Sequence, residues 1–282
     1  MKVALAQISP KLGDVRHNLR LHMDYVQKAK KKNVDLLIFP ELSLTGYTLK
    51  DLVEHVAIQP ETDPMFKKLK ALSQGISFVV GFVEEKERGI FFNSAAYITQ
   101  GKIAHIHRKV YLPTYGMFEE LKFCAQGSNF HTFPTSFGKA GMLICYDFLH
   151  ISSSYLLFVG GSELIIVISA APGRGFSEDE SYASARMWEL MGEAVSRFFQ
   201  TYVFYCNRVG FEDGKSFAGG SYIFNPGGKL LAQAPYVDDH LLIRRIDLKD
   251  IRRFRKNRPY KRDEKPEVIL EAFKRIIEKN ED

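Results

Sequence analysis

Short apolar runs recur along the chain, and the stretches between them carry apolar residues at helical spacing. "KVALAQI" (2–8) is a compact run suited to a buried strand. "VRHNLRLHMDYVQKAKKK" then places Val15, Leu19, Met23 and Val26 three or four residues apart with basic residues between them. That stripe predicts an amphipathic helix of about five turns. "VDLLIF" is a second buried run, closed by Pro40. Strand, helix and strand in this order form a βαβ unit, which predicts a parallel pair. "FKKLKALSQG" reads as a helix stopped at Gly75, and "ISFVVGFV" as a third strand. "FFNSAAYIT" and "KIAHIHRKVYL" read as two strands turning at Gln100-Gly101.

The second half repeats the theme. "AGMLICYD" and "SELIIVIS" predict strands, "SYASARMWELMGEAVSRFFQ" a long helix, and "TYVFYCN" another strand. "FAGGSYIFNPGGKLLAQA" predicts a hairpin turning at Asn225-Pro226-Gly227-Gly228. "HLLIRRID" reads as a closing strand and "KPEVILEAFKRIIEKN" as a C-terminal helix. No low-complexity linker and no short-period repeat interrupts the pattern. The expectation is one α/β domain over residues 1–282, its helices on the outer faces of the sheets, with 247–282 as a basic arm and helix.

Composition narrows the class without naming a chemistry. Apolar residues make up 45% and charged residues 26% of 282, ordinary for a globular protein. Cys124, Cys145 and Cys206 are widely spaced, with no CxxC, which argues against a disulfide framework and for a reducing compartment. The N-terminal apolar stretch is too short for a signal peptide, and no run nears the ~18 apolar residues of a membrane span. A cytoplasmic protein without membrane association is expected. The net charge of +6 is concentrated in "RRFRKNRPYKR" (252–262). No nucleic-acid-binding motif accompanies that run, so it reads as a solvated arm or a subunit contact.

Candidate chemistry sits at strand ends, where α/β proteins tend to place reactive groups. Glu41 follows "LLIFP", Lys109 follows "KIAHIHR", Cys145 ends "GMLIC", and Glu120 lies in the loop after Lys109. Taken singly, a strand-end Glu or Lys is an ordinary surface charge and Cys145 a small core hydrophobe. Together they make chemical sense. A lysine lowers a thiol pKa toward the thiolate, and a partly buried glutamate can take the thiol proton. Lysine and a backbone N–H can hold the oxyanion of a tetrahedral intermediate. His105-x-His107 raises a metal site as a rival, but the histidines lack the spacing of a ligand set and Lys109 would repel a cation. A Cys–His pair using His107 or His150 is a rival of the same rank, disfavoured because Glu41 already supplies a base.

The wording around these residues is more specific than their placement. "FPELSLTGY" (39–47), "HRKVYLPTYGMFEE" (107–120) and "GMLICYD" (141–147) resemble, in order, the three signature segments of the nitrilase superfamily of carbon–nitrogen hydrolases. "NRVGFEDGKSFAGGSYIFNPGGKLL" is similar to that family's downstream strand and hairpin, so the resemblance runs from Lys2 to about Ile246. It implies a four-layer α-β-β-α sandwich and a catalytic set of Glu41, Lys109 and Cys145. The family's additional glutamate, in an F-x-E segment, falls on Glu120, with a role in orienting Lys109 and substrate. The resemblance further implies a small-molecule amide substrate, ammonia and a carboxylic acid as products, an oxyanion hole from Lys109 and the Tyr146 N–H, and no metal or organic cofactor. It also implies a homodimer or larger assembly paired through the outer helices.

Two departures shape the expectation of substrate. After C-Y-D, amidase-type members carry an aromatic-Pro-Glu segment, whereas this chain has "FLHISSS". "FPELSLTGY" and "YLPTYGMFEE" look closest to the glutaminase domain of glutamine-dependent NAD synthetases, yet Tyr146 stands where that branch carries an acidic residue. A stand-alone amidase is therefore expected, with an ammonia-supplying glutaminase subunit or a non-catalytic binding protein as alternatives. Tyr47, Tyr115 and Tyr146 are candidates to shape the substrate site, and Arg174 in "SAAPGR" is a candidate to bind a carboxylate.

Overall fold

The computed structural model describes residues 1–175 and 183–279. Ser181 and Tyr182 of the expected long helix, and Asn280–Asp282 of the expected C-terminal arm, lie outside the described residues. The first half contains β1 (Lys2–Gln7), α1 (Val15–Lys31), β2 (Leu36–Ile38), α2 (Val53–Val56) and α3 (Pro64–Leu72). β3 (Ser77–Glu87), β4 (Ile90–Thr99) and β5 (Lys102–Arg108) follow. The second half contains β6 (Thr132–Thr135), β7 (Gly138–Ile144), α4 (Tyr146–Leu149), α5 (Ile151–Val159), β8 (Leu164–Ser169), α6 (Ala183–Phe199) and β9 (Tyr202–Asn207). Then come β10 (Val209–Glu212), β11 (Lys215–Ala218), β12 (Tyr222–Phe224), β13 (Leu230–Gln233) and β14 (His240–Arg245). α7 (Lys249–Asn257), α8 (Tyr260–Asp263) and α9 (Pro266–Lys279) complete the described chain.

The strands form two six-stranded sheets and one ribbon. The first sheet has the order β14-β1-β2-β3-β4-β5, the second β13-β12-β9-β8-β7-β6, and β10 pairs with β11. β1, β2 and β3 run parallel, as do β7, β8 and β9, each trio flanked by antiparallel strands. Strand alternation decides which layer each side chain joins. Along β1, Val3 and Leu5 pack with Met142, Ile144 and Ile166 of the other sheet. Ala4 and Ala6 face Leu19 and Val26 of α1 and Phe66 and Leu69 of α3. On the far side, Leu157 of α5 and Val195 of α6 cover the second sheet. The result is the α-β-β-α sandwich expected from sequence.

Local chemistry starts the outer helices. Asp14 caps α1 by accepting from the His17 N–H at 2.9 Å. α3 begins with Pro64 behind the cap Asp63, which accepts from the Met65 N–H at 2.7 Å.

"FLHISSS" forms the end of α4 and the first turn of α5, with His150 between them. One expectation changes. The basic run is not simply a solvated arm, because most of it is helical and part of it docks on the C-terminus of α5. Lys261 Nζ donates to the Phe158 and Val159 carbonyls at 2.9 and 3.0 Å. Arg255 donates to the Ser162 carbonyl at 2.7 Å, and Lys139 to the Gly160 carbonyl at 3.2 Å. These cations sit at the negative end of the α5 dipole, and Lys261 gives the Val159 carbonyl a donor. Among the described residues, no helix is long and apolar enough to cross a membrane.

Candidate active site

Glu41 is set by a crossing of backbones. After β2 the chain continues with Phe39, whose N–H donates to the Val79 carbonyl at 2.9 Å, and then passes over β3 at Gly81. A Cβ on Gly81 would stand 2.4 Å from Leu42 N and 2.6 Å from Pro40 O, so only glycine lets this loop lie so close. The Glu41 side chain is fully buried. Its Oε1 accepts from Lys109 Nζ at 2.7 Å and Asn93 Nδ2 at 2.8 Å, and its Oε2 from the Ala170 N–H at 2.7 Å. Ala170 follows β8, so this one carboxylate ties the ends of the two sheets together.

Lys109 follows β5 and is also fully buried. Its backbone continues the pairing with β4 through a bond from its N–H to the Asn93 carbonyl at 2.9 Å. The ammonium donates to Glu41 Oε1 and Glu120 Oε1, each at 2.7 Å. Glu120 Oε1 also accepts from the Tyr47 hydroxyl at 2.6 Å, while its Oε2 is buried without a partner among the described residues. Tyr47, expected as a wall of the substrate site, is thus bonded to the Glu120 carboxylate itself.

Cys145 sits between β7 and α4 with φ 45° and ψ −103°. An L-residue with a side chain rarely takes a positive φ, and such strain gathers at functional turns. Its N–H is held by the Ile168 carbonyl at 2.8 Å. Asp147 fixes the turn. Asp147 Oδ2 accepts from the Ile144 N–H at 3.1 Å and from His107 Nε2 at 2.9 Å. Its Oδ1 accepts from the Val110 and Tyr111 N–H groups at 3.0 and 2.9 Å. One buried carboxylate therefore locks the Lys109 segment to the Cys145 turn.

The electrostatics differ from the sequence expectation in one respect. Burial pushes the Cys145 thiol up, the Glu41 charge pushes it further, and Lys109 only partly opposes them. Burial is the largest cause, so the lysine, itself paired with two carboxylates, lowers the thiol too little to offset it. Burial alone would lower the Lys109 ammonium, but Glu120 and Glu41 raise it well above the usual lysine value. Burial raises Glu120 despite the opposing Lys109 charge. Burial, then the charges of Glu120 and Glu41, hold the Tyr47 hydroxyl well above the ordinary phenol range, so it remains a donor. The resting cluster is a protonated thiol beside a charged lysine.

The remaining candidates form an outer wall. The Tyr115 ring lies 5.8 Å from Tyr146 and 5.4 Å from Phe118, and the Arg174 guanidinium stands 5.3 Å from the Phe118 ring centre. Tyr115 and Arg174 are exposed, Tyr146 half-buried. His150 stacks on Tyr111 at 3.6 Å and meets Tyr146 edge-on, so "FLHISSS" contributes to this wall through a helix junction. A cavity of about 60 Å³ adjoins the cluster on the Glu120 side, lined by Tyr47, Asn93, Phe118, Phe123 and Cys124; Cys145 is not part of its wall. Burial pushes the Cys124 thiol up to about 12. His105 stacks on Phe133 and His107 is bound to Asp147. Among the described residues, no three His, Cys, Asp or Glu side chains are grouped to hold a metal ion.

Sequence reasoning missed Asn93, Asp147 and Ala170. A polar residue inside the apolar "FFNSAAYI" was the signal for Asn93, since buried amides need partners. Ala170 acts through its backbone and left no side-chain signal.

The two-sheet sandwich and the buried Glu41–Lys109–Glu120 cluster fit the class of protein that the comparisons show. The carbon–nitrogen hydrolase pattern matches residues 2–256. The chain belongs to that family, within the nitrilase superfamily, and is a hydrolase acting on carbon–nitrogen bonds. It is 32% identical over 258 residues to the glutamine-dependent NAD(+) synthetase of Acinetobacter baylyi, covering 92% of this chain. The chain spans 46% of the length of that synthetase. It is 31% identical over 264 residues to a "probable nitrilase" of Schizosaccharomyces pombe, covering 90% of this chain and 92% of that protein. A carbon–nitrogen hydrolase from Helicobacter pylori G27 shares the fold with a TM-score of 0.86 at 23% identity, covering 97% of this chain and 98% of its own.

Proposed function

We propose that the protein is an amidase that cleaves a non-peptide amide through a cysteine thioester, with Glu41, Lys109, Glu120 and Cys145 as its catalytic set. The observation that carries this reading is the buried run of bonds Glu41–Lys109–Glu120, whose charges all act on the Cys145 thiol. Glu41 takes the thiol proton as sulfur attacks the amide carbonyl carbon. The carbonyl electron pair moves to oxygen, held by Lys109 Nζ and the Tyr146 N–H. Collapse breaks the C–N bond, and Glu41 returns its proton to the leaving nitrogen, giving ammonia and a thioester. Water then passes a proton to Glu41 and attacks the thioester. The acid leaves, and the proton returns to sulfur. Glu120 keeps Lys109 aimed, and neither a metal nor an organic cofactor takes part.

Intact-mass spectrometry during incubation with glutamine, aliphatic amides, N-carbamoyl compounds and nitriles tests this reading. Ammonia release and an acyl adduct on Cys145, absent in Cys145→Ala, are expected. No adduct and no ammonia across that panel would overturn it. The likeness to glutamine-dependent synthetases supports a second reading, a glutaminase that feeds ammonia to a separate synthetase. Glutamine turnover far above that of every other amide is its mark. For assembly, α5 and α6 present Ile151, Leu156, Leu190 and Phe198 about half exposed, which supports pairing of two copies through these helices. A monomer in equilibrium sedimentation would exclude that pairing.

A further inference from the structure

Glu212 lies at the end of β10, outside the catalytic set, yet it reaches across to the loop that follows Glu41. Its Oε1 accepts from the Tyr47 N–H at 2.8 Å and the Thr48 N–H at 2.5 Å. Its Oε2 accepts from Arg208 at 2.6 Å. Arg208 is itself fully buried, donates to the Pro10 carbonyl at 3.3 Å, and stands 4.1 Å from the Phe217 ring centre. The Tyr47 ring meets the same Phe217 edge-on at 5.9 Å. A buried carboxylate and a buried guanidinium are costly groups to desolvate, and here they are matched to each other and to backbone.

The loop depends on this support. Gly46 turns at φ +84°, where a Cβ would come within 2.7 Å of Leu12 Cα. The two amides that follow it point at Glu212. With the backbone so held, the Tyr47 ring packs edge-on against Phe217 and its hydroxyl meets Glu120 Oε1 at 2.6 Å, the same oxygen that holds Lys109.

We propose that Glu212, anchored by Arg208, is a positioning residue: by fixing the Tyr47 backbone it sets the Tyr47–Glu120 bond and thereby the aim of Lys109. This rests on the reading of the cluster as catalytic. The chain of contacts runs Arg208–Glu212–Tyr47–Glu120–Lys109 across both sheets. Supporting residues of this kind decide whether a reacting group is held closely enough to work.

A double-mutant cycle tests it, using wild type, Glu212→Gln, Tyr47→Phe and the double variant. Two readouts are taken: the rate of Cys145 alkylation by iodoacetamide, followed by peptide mass, and kcat and KM for glutamine and acetamide. Glu212→Gln is expected to slow alkylation and lower kcat roughly tenfold with KM nearly unchanged. In the Tyr47→Phe background it should add almost nothing. Glu212→Asp, which keeps the charge opposite Arg208, should recover part of the loss, and it replaces Glu212→Gln in the cycle if that variant does not fold. Wild-type alkylation and kcat in the Glu212 variant, or equal losses with and without the Tyr47 hydroxyl, would overturn the proposal. A wild type whose Cys145 alkylates normally but which hydrolyses no amide counts against the functional reading alone.

Discussion

Lys109 and Glu41 meet at 2.7 Å with neither side chain exposed to solvent. Removing one member of a buried ion pair leaves the other charged and unpaired, typically a loss of about 3–5 kcal/mol. The two members are not equivalent here, because Lys109 also holds Glu120. Lys109→Met leaves two carboxylates facing a neutral side chain and is expected to lose about that much stability along with turnover. Glu41→Gln leaves Lys109 its Glu120 partner and is expected to lose only about 1–2 kcal/mol. Its kcat should nonetheless fall by roughly 10²–10⁴, the usual contribution of a general acid–base group. Urea unfolding and ammonia release measure both. Equal stability losses in the two variants would contradict the asymmetry.

Asp147 separates architecture from chemistry. It touches no reacting atom, yet it accepts from both the Cys145 turn and the segment after Lys109. In Asp147→Asn, an NH₂ group would face donors on one side, leaving at least one buried N–H unpaired, a loss of about 1–3 kcal/mol. Thermal unfolding should report that loss, and kcat should fall although all four proposed catalytic side chains remain. Unchanged kcat in a destabilised variant would show that Asp147 serves the fold only.

These two cases mark what the sequence could reveal. Most strands, the long helices and both main hairpins were legible because alternation and helical spacing are local signals, whereas β6, the β10–β11 ribbon and α5 were not read. That Glu41, Lys109 and Cys145 fall just beyond strand ends was legible from the apolar runs before them. The docking of Lys261 on α5 was hidden because a charge run reads alike whether solvated or bonded to a helix end. The high Cys145 thiol was hidden for a different reason. A lysine nearby predicts a lowered pKa, and only the folded protein shows that the thiol is buried and stands beside the Glu41 charge. Glu212 was invisible because its partners, Tyr47 and Thr48, are more than 160 residues away and are met through their backbone.

His22 gives the protein a pH-dependent stability. It is fully buried on α1 beneath the Phe39 ring, with Nδ1 on the Asn18 carbonyl at 2.7 Å and Nε2 on the Ser43 hydroxyl at 2.9 Å. Burial lowers it from 6.5 to about 4. The unfolded chain therefore takes up a proton below pH 6.5 that the folded form refuses. This group's contribution is fully present above pH 6.5 and is lost as pH falls toward 4. The loss approaches roughly 3 kcal/mol at the acid end. In His22→Leu that component is absent, so the stability gap to wild type at pH 7 should narrow by about this amount at pH 4. Urea unfolding across that range checks it, and a constant gap would exclude the buried neutral imidazole.

Arg174 makes the question of substrate testable. Its backbone is held to the start of α6 by bonds with Ser184, from its own N–H to the Ser184 hydroxyl at 3.0 Å and from the Ser184 N–H to its carbonyl at 3.2 Å. The guanidinium lies over Phe118 and is exposed beside Tyr115. A planar cation fixed at such a wall suits a carboxylate on the substrate and offers nothing to an uncharged amide. Arg174→Ala should therefore raise KM for glutamine roughly 10- to 100-fold while leaving acetamide unchanged, since an ion contact formed before and during reaction appears in KM. Arg174→Lys should not restore glutamine, because an ammonium neither stacks on Phe118 as a plane nor binds a carboxylate with two parallel bonds. Equal changes for the two amides would remove Arg174 from substrate selection and leave the choice to Tyr115 and Tyr146.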